Sequence, residues 1–552
     1  MKRTLSIIAA LVLALGLTQC KKAETPQAST GDPIHVTFTA TYGGERTTFT
    51  PADGSFTWST GVTEYIYVGG SAHEGCIGTL SATGNGGSTL IFTGDLYNNI
   101  TLQPNEMLYF FYLGNGQHTG ATTVDFSTQT GDFADLTNYH IAVGSQKYNG
   151  SDNFSAYLEP LVAFAYFDLS GFAGETVYMH GDGVYATATI DYQTGTIEKG
   201  TKGYINIGTA SSSKYVALIP STSVSSIDYA TTVKFSSISY TGSLEFKRGI
   251  FAGRYYTANN ATALGVSAIK EDGTVSGLFS VEGTNGITTK MVRFSKGNLQ
   301  YQANSTNATE PPYTPKWRFA ENQWDYVGTQ TPFSGNSGGT VSGSDNHDIS
   351  FSYSGWIDLF GWGTSGYEHG AIAYQPWSTS IEYSDYYAYG DYIYNLYDQT
   401  GKADWGYNAI SYGGNPVNSG WRTLTTDEWE WLLGPFDSPN PGTNCRPSAT
   451  SLRGWKIVNG VNGLVILPDG CNLSINGSNW DDLAAAGAVF LPAAGHRRET
   501  NVYEVGTYGY YWSASPSAID KSLARRLDFS ENDVKPSNGG HRNRGYCVRL
   551  VR

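Results

Sequence analysis

The chain has 552 residues, a formal net charge of −14 and only 15% charged residues. That length exceeds what a single hydrophobic core serves, so three to four domains are expected, and the acidic balance argues against a nucleic-acid partner, because phosphate recognition needs a basic face. The 67 glycines and 39 tyrosines, with so little charge, favour β-rich domains over helical bundles.

Residues 1–20 read as an export signal: Lys2 and Arg3 precede a short apolar run from Leu5 to Leu17, too short to span a bilayer comfortably. The run ends Leu17-Thr18-Gln19-Cys20, which resembles a bacterial lipoprotein signal with Cys20 as the lipidated residue. Gln19 departs from that pattern, where a small residue is usual. The resemblance implies a lipid-anchored, surface-exposed protein of the outer membrane, with residues 21–32 as a flexible tether. Four cysteines remain, Cys76, Cys445, Cys471 and Cys547, and none forms a C-x-x-C pair, so zinc is not expected and no cofactor is implied. Cys445 and Cys471 either pair in an oxidising compartment or stay as free buried thiols.

From Ile34 the chain alternates apolar and polar residues. His35–Ala40, Glu64–Val68, Thr89–Phe92 and Met107–Tyr112 are predicted strands, separated by Gly/Asn clusters such as Gly84-Asn85-Gly86-Gly87. They define one β-sandwich over residues 33–150. A second sandwich, residues 155–267, contains Leu161–Leu169, Val184–Ile190, Tyr215–Pro220, Leu244–Phe246 and a closing stretch Gly249–Thr257. Val36-Thr37-Phe38-Thr39-Ala40, the Gly44–Phe49 segment with Trp58 downstream, and Ala252-Gly253-Arg254-Tyr255-Tyr256 resemble the fimbrillin family, the lipoprotein pilins of Bacteroidales. That resemblance covers about half of the chain. It implies assembly with other pilin subunits by strand donation, after a trypsin-like cut behind a basic residue near the start of the first domain. Arg46 matches that residue loosely, and a plain strand arginine is the alternative.

Of 13 tryptophans, all but Trp58 lie at or beyond Trp317, so a third domain of different composition is expected over residues 280–552. It opens with Lys290–Tyr301. Thr425-Thr426-Asp427-Glu428 forms a capping box ahead of Trp429 and Leu432, and Ser478-Asn479-Trp480-Asp481 starts a second helix that stops at Gly487. Short strands Gly463–Pro468 and Ala488–Pro492 lie between and after them. Two helices among short strands indicate an α+β domain.

Four motifs follow in order: Trp421–Trp429, Val489–Gly495, Tyr511-Trp512-Ser513 and Val548-Arg549-Leu550. Together they resemble the C-type-lectin-like domains related to formylglycine-generating enzymes. They are closest to lipoprotein domains of gut bacteria, some of which are variable proteins of diversity-generating retroelements. In that layout the segment between the aromatic-Ser and terminal Val-Arg motifs is displayed for ligand contact. The positions so implied are Ser515, Ser517, Ala518, Ile519, Asp520, Ser522, Arg525, Asp528, Asn532, Asp533, Asn538, Gly539, Gly540, His541, Asn543 and Tyr546. The segment shows no periodic core pattern and reads as an outward-facing irregular stretch, of a composition suited to an adaptable paratope. An ordinary irregular loop is the alternative.

Residues 512–552 hold eight basic against four acidic residues, a local excess of +4. An anionic ligand could use it; the other reading is that these arginines, Arg549 among them, hold the fold. No enzyme is expected, because Cys547 stands alone where formylglycine-generating chemistry uses paired cysteines, and no His-Glu-x-x-His helix occurs. Asp345, His347 and Asp348 form either a solvated loop or a weak cation site, and His496-Arg497-Arg498-Glu499 reads as a surface turn. The expected function is that of a cell-surface adhesin at a pilus tip, binding an unidentified host, phage or bacterial ligand. The alternatives are a glycan-binding surface lipoprotein outside any pilus and, behind it, a formylglycine-generating-type enzyme.

Overall fold

The computed structural model describes residues 33–42, 57–114, 122–221, 230–257, 264–268, 272–284, 287–303, 316–330, 338–367, 372–387, 393–397, 402–408, 410, 420–435 and 444–552. Cys20 and Arg46 lie outside the described residues. The fold is rich in β-structure, as the composition requires, and divides into two compact units.

The first unit takes residues 1–112, 143–158 and 192–195. Its strands are β1 (His35–Tyr42), β2 (Thr63–Gly70), β3 (Gly78–Thr83), β4 (Thr89–Leu96) and β5 (Met107–Leu113). After β6 (Thr123–Asp125), which belongs elsewhere, come β7 (Ile141–Lys147) and β8 (Asn153–Pro160). Hydrogen bonding runs β1-β4-β3-β2-β5-β7-β8 and closes, since β1 is antiparallel to β4 and parallel to β8. The expected two-sheet sandwich is thus one continuous sheet wrapped into a barrel, which removes its edges. Period-two alternation sends Val36, Phe38 and Ala40 inward, all fully buried. Phe38 stacks on Phe110 at 4.0 Å, and Trp58 meets Phe92 and Tyr112 edge-on at 5.2 and 5.1 Å.

The second unit takes residues 113–142, 159–191 and 196–552. The expected boundary at residue 150 therefore differs from the observed one. Residues 113–142 belong to the second unit because Val124, Phe126 and Leu136 are buried there and β6 pairs with Thr187–Asp191. Buried Gln129 completes a strand edge: its Oε1 accepts from Ala217 N at 2.9 Å and its Nε2 donates to Ala217 O at 3.1 Å. Ala163–Phe167 pairs with Lys214–Leu218 and, in parallel, with Tyr255–Tyr256. A five-stranded sheet runs in the order Ile205–Thr209, Thr176–His180, Thr231–Ser236, Tyr240–Phe246, Gly265–Ala268.

Within the same unit, residues beyond 272 build two cores. One surrounds α1 (Thr426–Leu433) and the sheet of Arg453–Val458, Val461–Ile466 and Val489–Pro492. The other is aromatic, with Trp317, Trp362, Trp405, Trp421, Trp512 and Tyr546. The predicted capping box is present: Glu428 N donates to Thr425 Oγ1 at 3.2 Å, and Thr425 N to Glu428 Oε2 at 2.9 Å. The helix α2 (Trp480–Ala485) starts at Asn479, whose Oδ1 accepts from Asp482 N at 2.9 Å, and the turn after it uses Gly487 at φ 85°. Leu550–Val551 pairs with Arg422–Thr423, and Arg293 and Arg552 exchange backbone bonds at 2.9 Å in both directions.

Candidate ligand-display face

The tail expected to be irregular is a three-stranded antiparallel sheet, Gly509–Pro516, Leu523–Phe529 and Val534–His541. Register shifts between Trp512 and Pro516 and between Arg526 and Asp528 break the alternation. Inward residues Ala524, Leu527 and Phe529 are therefore not evenly spaced, and no period-two signal survives in the sequence.

The aromatic frame is locked from below. Tyr511, Trp512 and Ser513 are at most 1% exposed. Trp512 Nε1 donates to Phe360 O at 2.7 Å, Trp362 Nε1 to Ser513 O at 2.9 Å, and Tyr511 OH to Pro492 O at 3.1 Å. Ser513 Oγ donates to Arg525 O at 3.0 Å and lies 3.0 Å from Thr426 Oγ1, which ties the sheet to the start of α1. Cys547 is fully buried, and burial pushes its thiol well above the ordinary range, so it is a poor nucleophile. No disulfide joins Cys445 to Cys471 among the described residues.

On this frame, Ala518, Ile519 and Asp520 stand at an exposed hairpin tip, Ile519 at 81% exposure. Asp520 Oδ1 accepts from Ser522 N at 2.8 Å and Ser522 Oγ at 2.7 Å, which fixes the tip and holds that carboxyl below its usual range. Asn532 and Asn538 are exposed, and Asp533, Arg525, Ser522, Gly539, His541 and Asn543 are half-buried. Ser515 is half-buried and accepts from Thr426 N at 3.0 Å, so its hydroxyl serves the helix start.

Four expected display positions are instead buried: Ser517, Asp528, Gly540 and Tyr546. Ser517 Oγ accepts from Ile519 N and Asp520 N at 3.4 and 3.3 Å and shapes the turn beneath its tip. Asp528 binds Arg526 through both oxygens and accepts from Asn538 Nδ2 at 2.6 Å. The Arg526 guanidinium lies 4.8 and 4.7 Å from the Tyr510 and Tyr546 rings. Gly540 leaves room for that stack, since a Cβ there would come within 2.6 Å of Tyr546 Cε2 and 2.8 Å of Arg526 Cδ. These four are parts of the platform rather than its outer face.

The structure adds residues that no sequence pattern marks. Tyr383 stacks on His541 with centroids 5.0 Å apart, and Asn543 Nδ2 donates to Ile381 O at 2.9 Å. Ile381 is 58% exposed, so an apolar spot flanks the tail from a loop far away in sequence.

The excess positive charge of the tail is largely used internally. Arg542 is buried, donating to Leu523 O at 3.1 Å and Tyr387 O at 2.6 Å, over the Trp362 ring. Arg549 is buried and donates to Gln323 Oε1 at 2.9 Å. Lys535 pairs with Asp533 at 2.6 Å and Arg552 with Asp272 at 3.4 Å. Burial, with Arg544 nearby, lowers the His541 pKa and disfavours its charged form. The arrangement favours the fold-holding role for the arginines over an anionic-ligand surface.

Asp345 spends both carboxylate oxygens on backbone, accepting from His347 N at 2.7 Å and Gln330 N at 3.0 Å. Among the described residues no group of three His, Cys, Asp or Glu side chains is placed to hold a metal. His496–Arg498 pairs with Asn501–Tyr503 as a hairpin, but Arg497 is fully buried and donates to Leu359 O at 3.3 Å and Ser378 O at 3.1 Å, which corrects the reading of a plain surface turn.

No family model matches the chain, and no curated protein does either. Solved structures do. A protein assigned to cell adhesion from Bacteroides uniformis aligns at 13% identity and a TM-score of 0.27, over 43% of this chain and 97% of its own. A fimbrilin of Porphyromonas gingivalis aligns at 13% identity and 0.23, over 50% and 91%. The tip fimbrial protein Mfa3 of Porphyromonas gingivalis, truncated at its C-terminus, aligns at 10% identity and 0.22, over 51% and 98%. At such scores these likenesses do not decide fold or function for this chain.

Proposed function

We propose that this chain is a cell-surface adhesin that enters a pilus as its tip subunit and grips a protein or glycan ligand through the hairpin tips of its terminal sheet. The observation that carries the reading is the contrast within one sheet. The Tyr511-Trp512-Ser513 frame is sealed from water, while Ile519, Asp520 and Asn532 stand exposed on hairpin tips and Asn538 on the third strand, the first tip being held by local hydrogen bonds. Such a platform tolerates change outside without losing its shape. The proposed contact set is Ala518, Ile519, Asp520, Ser522, Arg525, Asn532, Asp533, Asn538, Gly539, His541 and Asn543, with Ile381 and Tyr383 beside them. Ser515 borders the set. Diversification by a retroelement would act on these positions and spare Ser517, Asp528, Gly540 and Tyr546.

The pilus part of the reading is supported by β1. This strand is hydrogen-bonded on both sides and fills the barrel with Val36, Phe38 and Ala40. Cleavage after Arg46 would release it and open a groove between β4 and β8, floored by residues such as Phe110. A donated strand with apolar residues at alternate positions would refill that groove. Lipidation at Cys20 would hold the subunit at the outer membrane before assembly.

Two experiments test this. Exchanging the 518–522 and 532–533 tips for unrelated sequences should change which cells or ligands are bound while the far-ultraviolet spectrum stays the same; unaltered binding places the contact elsewhere. Shearing cells should release the protein with filaments, and Arg46→Ala should keep it out of them. Recovery in the membrane fraction alone would favour the surface glycan-binding lipoprotein.

A further inference from the structure

We propose a second binding site, separate from the terminal face, in the crevice where the second β-domain meets the terminal domain, taking the neutral, hydroxyl-rich end of a saccharide. Both walls belong to one compact unit. The cavity there measures about 290 Å³, near the lower bound of roughly 300 Å³ for small-molecule sites, which favour domain junctions. Thr128, Tyr204 and Asn206 line it from one side, and Ser448, Cys471 and Asn472 from the other. An adjoining cavity of about 260 Å³ shares Tyr178 and residues 469–472 with it, and adds Ile238, Leu278 and Leu473. The crevice therefore has a polar lobe and an apolar lobe on a common wall.

Charge selects the ligand class. Asp469 has its carboxylate on Arg446 Nη1 at 2.6 Å and Ser280 N at 3.2 Å, and Glu175 Oε2 accepts from Ser237 Oγ at 2.6 Å and Ser239 N at 2.8 Å. Asp469 is already paired with Arg446, and Glu175 keeps its negative charge on two neutral donors, so an anionic ligand would enter without a counter-ion. The neutral groups, by contrast, are available. The Asn206 side chain makes a single bond, accepting from Gly208 N at 2.9 Å. Its Nδ2 and the hydroxyls of Ser127, Thr128 and Ser448 have no partner among the described residues. Amides and hydroxyls that donate and accept match sugar hydroxyls, which do the same. Tyr204, stacked on His180 with centroids 4.4 Å apart, supplies a fixed aromatic surface for the C–H side of a ring.

Cys471 lines both lobes and is half-exposed, so its alkylation reports occupancy directly. The intact chain is treated with iodoacetamide and followed by peptide mass spectrometry. The probes are N-acetylglucosamine, galactose and their β-linked disaccharides, with sialic acid and a tri-alanine peptide as charged and peptidic comparisons. A neutral saccharide at about ten times its Kd should slow Cys471 labelling about tenfold, without slowing Cys76. Asn206→Ala and Tyr204→Ala should each abolish the protection, and Ile519→Asp should leave it intact, which separates this site from the display face. The proposal is overturned if no neutral probe protects Cys471 at millimolar concentration, if protection survives in both cavity variants, or if sialic acid or the peptide protects equally well.

Discussion

Glu428 shows how much one side chain carries in the terminal domain. It is 5% exposed, binds Arg422 through both oxygens at 2.6 and 2.7 Å, accepts from Lys290 at 2.9 Å, and closes the α1 capping box. Burial, the largest single influence, raises its pKa, but Arg422, Lys290 and the Thr425 N–H together outweigh it and the net shift is downward. The Arg422 pKa moves upward despite burial, so both partners favour the charged pair. A carboxylate depressed in the folded state adds stability above its unfolded pKa of about 4.3 and loses it as pH falls through the lower folded value. Glu428→Gln should remove that acid-side dependence, and Glu428→Ala should cost about 2–3 kcal/mol by stranding the half-buried Arg422 guanidinium and opening the cap; denaturant melts at pH 7 and pH 3 check both. The tail offers the opposite case. Gly540→Val should destabilise by about 1–3 kcal/mol because it overpacks the Tyr546–Arg526 stack. Ile519→Ser, on an open tip, should stay within about 0.5 kcal/mol. Equal costs at the two positions would contradict the division between platform and display face.

At the scale of elements, legibility followed the strength of local chemistry. The α1 capping box and the Asn479 start of α2 could be read from the sequence because side-chain-to-backbone bonds over three residues leave a fixed spacing. β1 and β4 were readable because one face of each is buried and alternation survives, and β2 and β5 because a short aromatic and β-branched run bounded by turn residues reads as a strand even when both faces are buried. The terminal sheet was not, since two register shifts scatter its inward residues. Ile381 and Tyr383 were invisible for another reason: only tertiary folding brings a loop more than 150 residues away against His541 and Asn543. Of the basic residues in the tail, Arg549 sits in the apolar terminal run and is buried, whereas the burial of Arg542 and the Arg526–Asp528 pair leave no spacing signal. The cap itself is testable. Thr425→Ala removes the acceptor for Glu428 N and should cost about 1 kcal/mol, with the loss appearing in unfolding of the terminal domain and in a weakened tie between α1 and Ser515.

At the scale of the whole molecule, chain order and compact units do not coincide. Residues 113–142 run between strands of the first unit yet belong to the second, where Gln129 pairs with both backbone groups of Ala217 and Phe126 is fully buried. A composition-based boundary at 150 follows the sequence and misses this exchange, because a single buried glutamine and three short apolar residues leave no pattern at a domain scale. The consequence is specific. A fragment of residues 33–150 lacks β8, the parallel neighbour that holds β1, so its barrel stays open along one side. A fragment of residues 151–552 lacks Gln129 and β6, leaving Ala217 and the edge of Thr187–Asp191 without their partners. Buried backbone groups left unsatisfied cost about 1–3 kcal/mol each, before the loss of Val124, Phe126 and Leu136 from the core is counted. The second fragment should therefore be cleaved by trypsin within its β-rich half at protease levels that spare the full chain. Adding residues 113–142 back as a separate peptide should restore part of that resistance, whereas the same peptide with Gln129→Ala and Phe126→Ala should not. Full protease resistance of the 151–552 fragment by itself would show that the intervening segment is dispensable and that the simple boundary was adequate.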